Sequence, residues 1–334
     1  MALILDRQKV LEIYNNASNN GWVLPVFNTE NLTTSEAILS SVYEYGESIG
    51  VRDLPIIVGI TNNYPSRPQS QYYTHTRQWK LGMNLFLNDL KQLTVPDSPF
   101  SDLNVMIHLD HILWDEDQEL LSWDMEQFSS IMFDASDLPI DMNIQKTAEF
   151  VKLNKDKIII EGACAEIGES FSNSPLDLTS PDMAEKYYYE TGVDILVANL
   201  GTEHRASSTT LQYQDQLARE ITNKIGPRLC LHGTSSISID KLSELFDDGI
   251  CKVNIWTTLE RDTTPALIKN ILENISKMVD REKVNAWVNT HLLGELVDRS
   301  STPSIDYFTN TYRQDFIFDR MKEIVHSYLN LWYK

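Results

Sequence analysis

Three of the seven histidines, His111, His204 and His232, each close a short apolar run and stand beside residues that carry charge or hydroxyls. Asp110 precedes His111, Glu203 precedes His204, and Gly233-Thr234-Ser235 follows His232. Glu166 closes another such run. Neutral imidazoles grouped with carboxylates form a ligand set for zinc or a similar divalent ion. An ion of that kind draws electrons from a carbonyl, while a nearby carboxylate moves a proton. A single histidine of this sort is more often a satisfied polar residue than a ligand, so the metal reading depends on the elements that bring the three together. His108 lies two residues before Asp110 and therefore on the same side of a strand, either orienting the aspartate or simply buried. His75, His291 and His326 read as surface or packing residues.

Those elements alternate. Apolar runs at 22–27, 54–61, 104–111, 130–136, 157–165, 194–201, 228–233 and 250–257 are separated by polar stretches of helical spacing, the pattern of βα units and a parallel sheet. Thr33-Thr34-Ser35-Glu36 offers N-cap hydroxyls. Ser180-Pro181 is a cap followed by a first-turn proline, and Ser238 opens a helix that ends at Asp248-Gly249. Eight strands with intervening helices predict an α/β fold, a (β/α)8 TIM barrel. An open doubly wound sheet is the alternative, but the first βα turn carries no Gly-x-Gly-x-x-Gly. Beyond the eighth run, a helix over about 258–278 and further stretches at 281–293 and 307–332 predict additional C-terminal helices. The organisation is thus a single barrel domain over 1–334 with a C-terminal helical extension at about 281–334. The aromatics of the last stretch, Tyr307 to Tyr333, suit core packing or a subunit contact.

Working residues of such a barrel cluster at the carboxyl ends of its strands. There the chain places Asn28, Thr61, Asp110-His111, Asp134, Ser136, Glu166, His204, His232, and Asn254 through Thr257. The glycine-hydroxyl turns Gly201-Thr202 and Gly233-Thr234-Ser235-Ser236 follow runs six and seven, where backbone N–H groups and helix N-termini bind phosphate. An anionic substrate is expected.

Composition narrows the partners. Asp and Glu number 48 against 28 Lys and Arg, a formal charge of −20, which repels nucleic-acid and lipid phosphates alike. Neither nucleic acid nor a membrane is an expected partner. Three scattered cysteines, Cys164, Cys230 and Cys251, sit in apolar runs and suit a reducing cytoplasm rather than a disulfide framework. The opening residues lack the pattern of a secretory signal.

The ordered motifs resemble the class II, metal-dependent ketose-bisphosphate aldolases, the fructose-bisphosphate and tagatose-bisphosphate aldolase family. The stretches that carry the resemblance are Pro25-Val-Phe-Asn28, Leu109-Asp-His111, Met132-Phe-Asp-Ala-Ser136, Ala165-Glu-Ile-Gly168, Thr179-Ser-Pro-Asp182, Thr191-Gly-Val-Asp194, Gly201-Thr-Glu-His204, Leu231-His-Gly233 and Lys252-Val-Asn-Ile255. By that resemblance Asp110 is the catalytic acid/base at the aldehyde-side hydroxyl, and His111, His204 and His232 hold a catalytic Zn2+. Another divalent ion is the alternative, with a monovalent cation as a possible addition. Glu166 matches the glutamate that approaches the metal from strand five. Gly233, Thr234 and Ser235 match the phosphate turn, completed by Asn254, Ile255, Trp256 and Thr257, while Asn28 and Thr61 line the substrate site. The implied reaction is reversible cleavage of a ketose (bis)phosphate, or a related anionic ketose, into a three-carbon ketone donor such as dihydroxyacetone phosphate and an aldehyde, through a metal-stabilised enediolate. The resemblance further implies carbohydrate metabolism, glycolysis included, a cytoplasmic protein, and a homodimer or homotetramer.

The chain departs from the family pattern in places. Arg205 follows His204 where the family usually has glycine, and Ala206-Ser-Ser-Thr-Thr replaces the tyrosine and proline that come next. Trp256 stands where small or acidic residues are usual. Arg205 is read as a grip on phosphate or another anion, or as a block to the usual donor. The segment Gly168 to Thr179 reads as a long mobile loop without the glutamates that deprotonate the donor ketone, so that base is unassigned, with Glu169 and Asp177 nearest. These departures sustain an alternative, a metal-binding relative that acts as a sensor or assembly subunit.

Overall fold

The apolar runs become parallel strands because they are short, rich in Val, Ile and Leu, and buried on both faces. In the computed structural model they are β1 (Leu24–Asn28), β2 (Pro55–Ile60), β3 (Asn104–Leu113), β4 (Ser130–Asp134), β5 (Ile159–Ala163), β6 (Ile195–Val197), β7 (Leu229–Leu231) and β8 (Ile250–Ile255). Each pairs with its successor, and β8 pairs with β1 to close the barrel. This is the (β/α)8 barrel the sequence predicts. The structure describes residues 2–65, 67–166, 168–169, 178–204 and 213–334, with only the backbone at 168, 169 and 204.

Local chemistry sets the helix boundaries. The helix after β1 spans Leu32–Ile49, and its cap is Asn31, whose side chain accepts from the Thr34 amide. The hydroxyls of Thr33 to Ser35 were expected to cap, but Asn31 reaches the amide of N3 from one turn earlier. Ser180 caps the helix Pro181–Thr191 with Pro181 at its first position, as expected. After β7 the chain makes only a short helix, Ile239–Leu242, then turns through to Gly249 instead of continuing the predicted helix. Gly168–Glu169, expected in a loop, pairs in parallel with Glu203–His204. The remainder of that expected loop, 170–177, lies outside the described residues.

The C-terminal helix Asn310–Trp332 folds back on its own barrel and packs against Leu32–Ile49 and Thr257–Glu273. The Ser41 hydroxyl donates to the Lys322 carbonyl at 3.0 Å, and the Trp332 indole donates to the Leu242 carbonyl at 2.8 Å. Tyr328, Trp332 and Tyr333 are buried, so this end of the aromatic tail is core. No helix among the described residues is long and apolar enough to cross a membrane.

Candidate active site

The site is built at the carboxyl end of β3, where the strand departs from regular geometry. Its register with β4 shifts between Leu109 and Ile112, and His111 adopts a left-handed backbone, φ 47°. A non-glycine residue held there stores strain of order 1–3 kcal/mol, which the surrounding packing must offset. The bulge places consecutive residues in one polar cluster. Asp110 and His111 both line the cavity that also receives His232 from the end of β7.

Asp110 is fixed from two sides. Asn28, at the end of β1, donates to its Oδ2 at 2.6 Å, and Asn254 of β8 donates to its Oδ1 at 2.7 Å. Both carboxylate oxygens accept in these bonds, the pattern of an ionised acid. Gly59 makes room for this arrangement, because a Cβ there would fall 2.2 Å from Asn28 Oδ1.

The two imidazoles meet edge to face, His111 Nε2 lying 3.1 Å from His232 Nδ1. His111 Nδ1 is 2.8 Å from Asp134 Oδ2, which assigns the proton to Nδ1 and turns the Nε2 lone pair inward. Burial works to lower the His111 pKa, but the carboxylates of Asp110 and Asp134 outweigh it and raise the value. Burial likewise works to raise Asp134, yet its bonds from His111 and Ser136 hold that carboxyl below the ordinary range. Tyr64 stacks on His111 with ring centroids 4.4 Å apart.

One ligand atom from each of Asp110, His111 and His232 lies within 4.8 Å of the others. Two imidazole nitrogens at that spacing, with Asp134 orienting one of them from behind, suit a divalent cation, and the Asp110 carboxylate stands beside them. The side chain of His204, the third histidine of the expected set, lies outside the described residues, as does Arg205.

The other expected residues divide clearly. Asn28, Thr61, Gly233, Thr234, Ser235, Asn254, Ile255, Trp256 and Thr257 line the same cavity as Asp110, His111 and His232. Gly233 has φ +70°, and Trp256 and Thr257 lead into the helix Thr257–Glu273, so backbone N–H groups at this edge suit an anion. Several hydroxyls there are engaged with the protein. Thr234 Oγ1 donates to the Asn254 carbonyl at 3.3 Å, and Thr61 Oγ1 bonds the loop that returns at Arg67 and Gln69.

Glu166 is different, being exposed at a neighbouring cavity shared with Asp134 and Asp137. Partial burial, then repulsion from those two carboxylates, raises its pKa. β5 ends at Ala163, and Glu166, three residues further on, lines this neighbouring cavity together with His111 and Tyr64, which also line the cavity of Asp110. The carboxylate that β5 sends into the barrel is Glu161, fully buried.

Sequence reasoning passed over Tyr64, Arg67 and Gln69, which reach the cavity from the connection after β2. Arg67 pairs with Glu30 and lies 4.3 Å over the Trp256 ring, giving that departure from the family pattern a physical partner. Reasoning also passed over the buried pair Glu161–Lys252, 2.6 Å apart. The available signal was a single charged residue inside each of two apolar runs, Ile158-Ile-Ile-Glu161 and Ile250-Cys-Lys-Val253.

A closed (β/α)8 barrel with a histidine and carboxylate centre at the carboxyl ends of its strands is the framework of a metal-assisted barrel enzyme. The chain belongs to the class II fructose-bisphosphate aldolases, whose family model matches residues 8–295. It is an aldehyde-lyase by that membership. Its fold is similar to that of a fructose-bisphosphate aldolase from Campylobacter jejuni, with TM-score 0.74 and 16% identity over 99% of this chain and 95% of that one. It is also similar to the YdjI aldolase of Escherichia coli K12, with TM-score 0.64 and 18% identity over 96% and 95% of the two chains.

Proposed function

We propose that this aldolase is zinc-dependent and reversibly cleaves a ketose (bis)phosphate, or a related anionic ketose, into a three-carbon ketone donor such as dihydroxyacetone phosphate and an aldehyde. The observation that carries this reading is the Asp110 carboxylate, held by two amide donors beside the inward-facing nitrogens of His111 and His232. His111 and His232, with His204 as the third ligand named by its motif, would hold the zinc ion, which when bound would supply the positive charge that polarises a ketone.

Asp110 takes the proton of the hydroxyl on the carbon beyond the scissile bond. That oxygen then forms the aldehyde carbonyl, the C–C bond breaks, and its electron pair passes toward the donor carbonyl. In condensation the same carboxyl returns the proton to the new alkoxide. Asn28 and Asn254 keep Asp110 in one orientation throughout. The turn at Gly233 to Ser235 and the helix start at Trp256-Thr257 bind the anionic group, and Arg205 adds a grip from the segment after His204. The base that moves the proton at the donor carbon stays unassigned, with Glu169 and Asp177 the nearest carboxylates in sequence, and we place the protein in the cytoplasm as a homodimer or homotetramer.

The test is proton exchange. Zinc-loaded protein incubated with dihydroxyacetone phosphate in D2O is expected to replace one hydrogen at the donor carbon, followed by NMR. Zinc-loaded protein that exchanges none, and releases no aldehyde from any anionic ketose, overturns the reading in favour of a binding relative.

A further inference from the structure

Beneath Asp110 the barrel interior holds charges that no step above uses. Lys252 of β8 and Glu161 of β5 are both fully buried, with Nζ 2.6 Å from Oε1. Burial works against both charges, and the Glu161 carboxylate holds the Lys252 ammonium protonated. Replacing such a pair with apolar groups of similar volume is often neutral or stabilising, so stability alone is weak grounds for its presence.

The surroundings of Lys252 suggest another reason. Its ammonium hydrogen-bonds Asn254 Oδ1 at 2.7 Å, His108 Nε2 at 3.3 Å and Cys230 Sγ at 3.7 Å, and pairs with Glu161 Oε1 at 2.6 Å. His108 accepts at Nε2 only as the neutral ring protonated on Nδ1, which meets Ser130 Oγ at 2.8 Å. Burial and the Lys252 charge push the His108 pKa well down, in keeping with that form. His108 Nε2 is 3.8 Å from Asp110, too far to orient it directly.

The informative contact is the one to Asn254. A carboxamide has one accepting and one donating end, and an ammonium only donates. Lys252 therefore fixes Oδ1 of Asn254 on its own side and leaves Nδ2 for Asp110 Oδ1, 2.7 Å away. Reversed, the amide would set two donors and two acceptors against each other.

We propose that Lys252, neutralised by Glu161, is a positioning residue for Asp110 and acts through the carboxamide of Asn254. The role rests on the aldolase reading above, in which Asp110 carries the proton. A carboxylate released from one of its two amide donors samples other rotamers, which lowers turnover more than substrate binding.

Lys252→Met alone strands a buried carboxylate and is expected to lower Tm. Lys252→Met combined with Glu161→Gln removes both charges and is expected to bring Tm back toward that of the parent. In the double variant, with zinc content equal to the parent, kcat is expected to stay on the order of 10- to 100-fold down, with KM within about threefold. Its crystal structure is expected to show Asn254 Nδ2 moved away from Asp110. Recovery of kcat together with Tm, or an unmoved Asn254, overturns the proposal and leaves the pair as packing alone. A parent protein that cleaves no ketose refutes the aldolase reading instead, and the position of Asn254 in the two crystal structures still decides this one.

Discussion

The imidazole of His111 and the carboxylate of Asp134 meet at 2.8 Å across neighbouring strands, Nδ1 to Oδ2. Because β3 bulges at His111, the ring leans toward β4 and turns its other nitrogen to His232. Asp134 thus sets both the tautomer and the direction of the proposed ligand. Asp134→Asn keeps the shape and removes the charge. It is expected to weaken zinc affinity about 10- to 100-fold, as measured by competition with a chromophoric chelator.

Asp110 touches the same cluster in a different capacity. Asp110→Asn is expected to lower C–C cleavage on the order of 10²- to 10⁴-fold, with zinc retained by the histidines. Steady-state aldehyde release alongside metal analysis separates the two effects. Wild-type turnover in that variant would remove Asp110 from the proton-transfer role.

Much of this arrangement was legible in the sequence. All eight barrel strands lie within or beside the apolar runs, because a strand buried on both faces needs continuous apolar residues. Asn28, Asp110, His111, His232 and Asn254 could be placed at one face because the barrel puts every strand's carboxyl end there. Glu166 lies beyond the end of β5 at Ala163, in the cavity it shares with His111, and nothing in its apolar run marks where the strand stops. Lys252 and Glu161 were passed over because a charged residue in an apolar run is legible only once its partner, distant in sequence, is known. The short helix Ile239–Leu242 escaped because its apolar spacing persists through turns that the backbone does not continue as helix.

The turn at Gly233 can be tested through backbone strain. Its φ is +70°, and an added Cβ would lie 2.8 Å from the Glu203 backbone carbon and oxygen. Gly50 has a similar φ, +74°, with nothing within 4 Å of such a Cβ. Gly50→Ala is therefore expected to cost only the left-handed penalty, about 1–2 kcal/mol. Gly233→Ala is expected to cost more, because it also displaces the strand segment Glu203–His204. Urea denaturation of the two variants makes the comparison.

Glu30 links stability to pH. Burial pushes its carboxyl up to about 7, against the opposing pull of Arg67. A carboxyl with a folded value above its unfolded one holds its proton more tightly in the folded state. Its contribution to stability is complete below the ordinary carboxylate range and is lost as pH rises through about 7. Thermal unfolding from pH 5 to 8 is expected to show a downward slope from this group, and Glu30→Gln is expected to flatten it.

The most direct measurement joins metal analysis of the purified protein to an aldehyde-release screen over fructose-bisphosphate, tagatose-bisphosphate, and monophosphate and sulfonated ketoses. One zinc ion per chain is expected, with at least one anionic ketose cleaved, activity lost to a chelator and restored by added zinc. Full zinc occupancy with no ketose cleaved, or cleavage that survives complete removal of metal, would contradict a zinc-dependent aldolase.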